Sequence, residues 1–119
     1  MQVHITGRGI ELTEAIESYV ENKIQGLDKF FSGILRADVV VGMESHHHKK
    51  GEIFVAECKL AVPGKELFAS KNEKELYAAI DKVRDYLEGE LKKYKAKIRG
   101  DERRKKTVRR DNKEYHEVE

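Results

Sequence analysis

The 119-residue sequence contains a single cysteine, Cys58, so no disulfide can form within the chain. A chain without disulfides fits the reducing environment of the cytosol. The sequence has no apolar run near the roughly 18 residues that a membrane helix needs. Its N-terminus also lacks the basic-then-apolar pattern of a secretion signal. These absences predict a soluble protein of the cytoplasm.

Motifs that carry catalysis are also missing. There is no glycine-rich phosphate loop and no serine–histidine arrangement, and His4 falls on a predicted strand without an obvious partner. The run His46-His47-His48 suggests metal binding, but adjacent histidines on a loop rarely converge on one ion, and no cysteine or carboxylate cluster accompanies them. We favour a polar hairpin loop there, and we expect no enzymatic activity, no cofactor and no metal.

Charge is what the sequence has in abundance. Charged residues are 39% of the chain, against about 25% in typical globular domains. Residues 1–90 carry 12 basic and 16 acidic residues (net −4), residues 91–110 carry 11 and 2 (net +9), and residues 111–119 carry 1 and 4 (net −3). A concentrated basic segment is typical of nucleic-acid binders, although a solvated helix end with a disordered tail has the same composition.

Apolar spacing predicts the first five elements, one helix and four strands. Thr13 is suited to cap a helix of four to five turns that ends near Ser32-Gly33. Cys58 falls on the apolar face of its predicted strand, so we expect it to fill the core rather than to react. Period-two alternation and the turn signal Pro63-Gly64 indicate four strands, at about 2–7, 37–43, 54–62 and 66–70.

The last helix has the clearest periodicity. Asn72 with Glu75 resembles a capping box, and an apolar stripe then continues for roughly 25 residues, until Gly100 ends the helix. At about 37 Å this helix is longer than so small a sheet can cover, so its last turns should project. We therefore predict a domain at 1–98 and a charged tail at 99–119, disordered when free. The stripe consists of Leu76, Ile80, Val83, Leu87, Leu91, Tyr94 and Ile98.

The predicted order is β-α-β-β-β-α. The first β-α-β step should make a parallel pair and the later strands an antiparallel meander. The fold class is therefore α+β, a two-layer sandwich in which both helices cover one face of a four-stranded mixed sheet.

Three stretches resemble the ribosome hibernation-promoting factor family, which includes the ribosome-associated translation inhibitors. The likeness covers residues 1–98 in order and spacing. The stretches are MQVHITG at 1–7 with ELTEA at 11–15, YVENKI at 19–24 with LDKFF at 27–31, and LYAAID at 76–81 with KYKAK at 93–97.

The resemblance implies a layout similar to double-stranded-RNA-binding domains. It also implies a protein that binds the small ribosomal subunit near the decoding centre. Basic residues of both helices would contact ribosomal RNA, block messenger and transfer RNA, and inhibit translation in resting or stressed cells. Long members add a dimerisation domain; the acidic-ended tail here resembles that of short members that keep ribosomes single. We expect the free protein to be monomeric, with neither membrane nor small-molecule partners.

Helical geometry places positions 82, 86, 89, 93 and 97 within a sector of about 80° beside the apolar stripe. The resemblance implies further basic residues where this chain has Gly26, Tyr86 and Gly89, and an amide where it has Glu90. The basic end of the helix and the tail therefore carry more of the predicted contact. The candidate RNA-binding residues are Lys23, Lys29, Lys74, Lys82, Tyr86, Lys92, Lys93, Lys95, Lys97, Arg99, Arg103 and Arg104.

Several alternatives stay open from the sequence. Tyr86 either stacks on an exposed base or lies partly buried at the edge of the core. Gly89 either allows close approach of an RNA backbone or reflects neutral drift. The acidic end at 111–119 covers the basic run, reaches a ribosomal protein or is a solvated spacer. The chain as a whole is a ribosome-inactivating factor, a general binder of structured RNA, or a module that pairs through its long helix.

Overall fold

The computed structural model describes residues 1–45 and 51–110, with side chains described for residues 1–44 and 51–100. Four strands form one sheet in the order β1-β2-β3-β4. The first two strands are parallel and the other neighbours are antiparallel. The elements are β1 (Gln2–Arg8), α1 (Glu14–Gln25), a short 3-10 helix (Gly26–Lys29), β2 (Arg36–Ser45), β3 (Glu52–Val62), β4 (Lys65–Glu73) and α2 (Leu76–Arg110).

Both helices pack on the same face of the sheet, and the core lies between the two layers. The predicted stripe of α2 is buried from Ile80 to Tyr94, and Leu76 and Ile98 pack against the core as partly buried residues. Strand alternation sends Ala37, Val39 and Val41 into the same core. The predicted two-layer α+β fold is confirmed.

One glycine lets the parallel strands approach closely. Gly42 in β2 pairs with Arg8 in β1, and a Cβ at position 42 would lie 2.5 Å from the backbone oxygen of Arg8. No side chain fits at that distance, so glycine is required for β1 and β2 to remain paired to this point.

The first helix is shorter than predicted. Thr13 caps it as expected, because its side-chain oxygen accepts a hydrogen bond from the N–H of Ile16 at 3.2 Å. The α-helix ends at Gln25, however, and a 3-10 turn continues to Lys29. Gly26 weakens the helix at this point, while Leu27 stays buried and preserves the apolar spacing. The spacing alone therefore did not reveal the change of helix type.

The predicted boundaries of β4 and α2 are wrong. Asn72 does not cap α2 but lies in β4, paired with Val55, and the strand extends to Glu73. The 11-residue β3 supplies ladder partners for this longer β4, and those hydrogen bonds outweigh a local cap. At the other end, α2 passes through Gly100 and reaches Arg110, because one glycine costs only about 1 kcal/mol among strong helix formers.

The division into a domain at 1–98 and a tail at 99–119 stays a prediction. Ile98 is the last described α2 side chain that packs against the core, which agrees with a boundary near there. Residues 99–110 are nevertheless helical rather than irregular. Residues 111–119, for which an acidic tail is predicted, and the histidine run at 46–48, for which a polar loop is predicted, lie outside the described residues.

Cys58 fills the core as predicted, with no exposed surface. Burial, with a smaller contribution from Asp38, raises the pKa of its thiol to about 12. Since only the thiolate reacts with iodoacetamide, we expect alkylation at pH 8 to be more than about a hundredfold slower in the folded protein than in urea. Mass spectrometry of timed samples measures this ratio, and comparable rates in both conditions would contradict the burial.

Candidate nucleic-acid interface

The two helices are joined by a cluster around Asp81. The hydroxyl of Tyr19 donates a hydrogen bond of 2.6 Å to the Asp81 carboxylate, which raises the pKa of Tyr19. The ammonium of Lys23 lies 3.5 Å from the same carboxylate and 5.4 Å from the Tyr19 ring centroid. Lys23 is therefore held on the helix pair, with its charge partly balanced in the free protein.

We expect Tyr19→Phe to lower the free energy of unfolding by about 1 kcal/mol at pH 7, because it removes this hydrogen bond. The raised pKa means that the contribution is present below pH 10 and is lost as the pH rises through the folded-state pKa. The difference from wild type should therefore shrink in strongly alkaline solution. Urea denaturation measures both effects, with Tyr77→Phe as a control; equal losses from the two variants would contradict the assignment.

The side of α2 that faces β4 carries cations matched by carboxylates. Lys82 lies 3.1 Å from Glu73 of β4, and Lys93 lies 3.4 Å from Glu90 on its own helix. Both lysines are exposed, so these pairs are weak and exchange readily for a phosphate. The predicted sector exists on the surface, but two of its three lysines are compensated in the free protein.

Tyr86 lies in the same sector and is 44% exposed. It is absent from the core cluster, and the Lys71 ammonium lies 4.8 Å from its ring centroid. These observations disfavour the interpretation of Tyr86 as a residue at the edge of the core. Base stacking on its ring therefore stays as a proposal. Gly89 is also exposed, and a Cβ added there would meet no atom of another element within 4 Å.

The C-terminal half of α2 carries cations without carboxylate partners. Lys95, Lys97 and Arg99 are exposed, and none of them forms an ion pair among the described side chains. Lys95 and Arg99 lie one turn apart on the same side of α2, and Lys97 lies on the opposite side of the same turn. Exposed cations on a rigid helix provide contacts for a phosphate backbone. This is the part of the predicted site that is most available to an anionic partner.

A groove lies between the 3-10 helix and this half of α2, which we call the basic groove. It is an open cleft of about 280 Å³ without an acidic residue in its lining. Lys92 also pairs with Glu88 at 3.0 Å, but the other cations of the groove have no such partner among the described side chains. The groove is lined by Lys29, Phe30, Lys92, Lys95, Ala96 and Arg99.

The remaining candidates fall outside this assembly. Lys74 is exposed in the connection between β4 and α2. Arg103 and Arg104 lie on the helical backbone of α2, and their side chains are outside the described set. Sequence reasoning missed two residues that the fold brings to the candidate interface, Phe30 and Lys71. The tandem Phe30-Phe31 was the only available signal, since both rings pack against the core but remain partly exposed.

Among the described residues, no three histidine, cysteine, aspartate or glutamate side chains lie close enough to hold a metal ion. Within the same residues, no helix has both the length and the apolar character to cross a membrane.

Comparison with known proteins identifies the family. The model of the family described as sigma 54 modulation protein / S30EA ribosomal protein matches residues 3–99. The chain belongs to this family. The predicted resemblance to the hibernation-promoting factors is thus confirmed, and the matched range ends one residue beyond the predicted domain.

Relatives named ribosome hibernation promoting factor cover most of the chain. The protein from Pseudomonas putida is 34% identical over 97 residues, which are 82% of this chain and 89% of the relative. The Azotobacter vinelandii protein is 36% identical over 97 residues, 82% and 85% of the two chains. The Escherichia coli K12 protein is 35% identical over 99 residues, 83% and 98% of the two chains.

Solved structures show the same fold. The N-terminal domain of Thermus thermophilus Protein Y is 35% identical and superposes with a TM-score of 0.69, covering 79% of this chain and 99% of that one. A ribosomal subunit interface protein from Coxiella burnetii also gives a TM-score of 0.69 at 22% identity, covering 81% and 99% of the two chains. The second likeness bears on the fold alone.

Proposed function

We propose that this protein is a ribosome hibernation factor that binds the small ribosomal subunit near the decoding centre. It contacts ribosomal RNA through basic residues of α1 and α2, excludes messenger and transfer RNA, and so inhibits translation in resting or stressed cells. The relatives' names support the hibernation role. The proposal includes no catalysed reaction, and it places a monomeric free protein in the cytoplasm, where ribosomes work.

The observation that carries the proposal is the uncompensated charge at the end of α2. Lys95, Lys97 and Arg99 stand on one rigid helix with no carboxylate bound to them among the described side chains. The sequence continues the basic run to Arg110 on the same helix. A phosphate backbone is the partner that such an array fits, since each contact releases bound counterions.

Cosedimentation tests the proposal directly. Purified protein is mixed with small subunits, large subunits or intact ribosomes and centrifuged through sucrose at increasing salt. We expect it to pellet with the small subunit and with intact ribosomes but not with the large subunit, and to be released as salt rises. Equal pelleting with both subunits indicates a general binder of structured RNA and contradicts the proposal. Messenger and initiator transfer RNA should compete with the protein.

The projecting helix is a poor candidate for a protein-pairing arm. A pairing helix needs apolar residues at about every third or fourth position, but residues 99–110 contain only one, Val108. This observation favours the RNA partner over helix-mediated pairing.

The tail is proposed to keep inactive ribosomes as single particles. Its basic run at 99–110 precedes an acidic end that carries Asp111, Glu114, Glu117 and Glu119. Sucrose gradients of ribosomes with added protein should show single particles, and accumulation of ribosome pairs would contradict this part of the proposal. A chain truncated after residue 98 separates the contribution of the tail from that of the domain.

A further inference from the structure

The basic groove joins two segments that lie far apart in the sequence. Phe30 follows the 3-10 helix directly, and its backbone N–H closes that helix on the carbonyl of Leu27 at 2.9 Å. The opposite wall comes from Lys92, Lys95 and Arg99 of α2. Its volume of about 280 Å³ lies just below the range of small-ligand sites, about 300–1,000 Å³. The groove is therefore too small for a duplex and takes no more than one nucleotide.

The electrostatics of the groove favour an anion. Lys29, Lys95 and Arg99 form no ion pair among the described side chains, and no acidic residue lines the groove. Lys92 contributes a fourth cation that is shared with Glu88. Four cations around one concave site attract a phosphate more strongly than the same charges spread over a convex surface, because the low-dielectric walls concentrate their field.

Phe30 gives the groove an aromatic wall. Phe30 and its neighbour Phe31 are both half-buried and pack against the core. Phe31 makes an edge-on contact with Tyr94, with the ring centroids 5.2 Å apart, whereas Phe30 lines the groove. The ammonium of Lys92 lies 5.3 Å from the centroid of the Phe30 ring, and the Arg84 guanidinium carbon lies 5.9 Å from it. An aromatic surface beside several cations fits a ligand that combines a flat ring with a phosphate.

We propose that the basic groove binds one nucleotide of an unpaired RNA strand, with its base stacked on Phe30 and its phosphate held by Lys29, Lys95 and Arg99. The inference rests on the proposed function, because it states which part of the RNA binds in the basic groove. Bases in a duplex are stacked on each other inside the helix, so only an unpaired or extruded base reaches a half-buried ring. Phe30 thus makes the groove select single-stranded positions.

The test compares two RNA probes that have the same charge. One is a 12-nucleotide oligouridylate; the other has the same backbone, with abasic ribose replacing the nucleosides. Fluorescence anisotropy at low salt should show that wild-type protein binds the oligouridylate at least about fivefold more tightly, as expected for one stacked base. Phe30→Leu should reduce this preference to less than about twofold, and Phe30→Tyr should preserve it.

Matched controls separate stacking from charge and from folding. Phe68→Leu removes a ring that is 55% exposed on β4, outside the groove lining, and it should keep the preference. Lys95→Gln and Arg99→Gln should weaken both probes equally, each lowering the salt dependence by about 0.7 in log–log slope. Thermal melting of every variant checks that the fold is intact.

Several results would overturn the inference. They are equal binding of the two probes by wild type, no measurable binding of the oligouridylate at low salt, or a parallel loss of both probes in Phe30→Leu. The proposed function has a separate test in cosedimentation with small subunits. If the protein pellets with small subunits but binds the two probes equally, only the assignment of the groove is wrong. If it prefers the oligouridylate but does not pellet with small subunits, the ribosomal role is wrong and the protein is a single-strand binder.

Discussion

Replacing Lys95, Lys97 and Arg99 together with glutamine is expected to weaken binding to the small ribosomal subunit by about 10- to 100-fold. Each exposed charge contact contributes about 0.5–1 kcal/mol, and 1.4 kcal/mol corresponds to a factor of ten. These residues have no ion pairs to break among the described side chains, so the loss reports on the partner. Glutamine keeps the helix propensity of lysine and arginine.

The dependence of this binding affinity on salt concentration provides a second measurement of the same prediction. Three lost phosphate contacts should reduce the log–log slope of affinity against salt by about two to three. The matched control replaces Arg8, Arg36 and Lys59, which removes the same charge from the sheet face opposite the helices, where Arg8 pairs with Glu57 and Arg36 with Asp38. If both triple variants lose affinity equally, binding follows net charge and the assigned surface is wrong.

The second large effect is expected in stability. Leu87 of α2 is fully buried between the helix and the sheet, and Leu87→Ala should lower the free energy of unfolding by about 2–5 kcal/mol. Total stabilities of about 5–15 kcal/mol are typical of single domains, so this loss is a large share. Leu35→Ala is the matched control, because Leu35 is 59% exposed and should change stability by less than about 0.5 kcal/mol.

Urea denaturation followed by circular dichroism measures both leucine variants. The result bears on function because α2 is the element that carries the proposed contacts. Equal losses in Leu87→Ala and Leu35→Ala would show that α2 does not pack on the sheet as described. A large loss at Leu87 alone confirms the helix position from which the basic residues are presented.

Periodic signals predicted the fold well. The apolar stripe of α2 and the alternation in the strands repeat over many residues, so several residues independently indicate the type of each element. The ends of elements depend instead on one or two local interactions. Asn72 could either cap α2 or pair with β3, and it pairs with β3. Gly100 could either end α2 or lie within it, and the helix continues through it. Such outcomes depend on tertiary partners that local sequence does not reveal.

Helical geometry indicated which basic residues share one side of α2, but the sequence did not indicate how their charges are balanced. The basic residues of α2 were identified from helical geometry, yet the sequence did not show that Glu73 of β4 pairs with Lys82. It also gave no sign that Lys71 lies over Tyr86 or that Phe30 faces Lys92. These contacts join residues from different elements, so they become visible only once the sheet register and helix packing are known.

A cryo-electron microscopy map of small ribosomal subunits mixed with this protein would locate its binding site. We expect density for the α+β domain beside the decoding centre, in the path of messenger and transfer RNA. The C-terminal half of α2 and the basic groove should contact ribosomal RNA there, with an unpaired base at Phe30. Density on another part of the subunit, or an orientation that turns the helices away from RNA, would contradict this expectation.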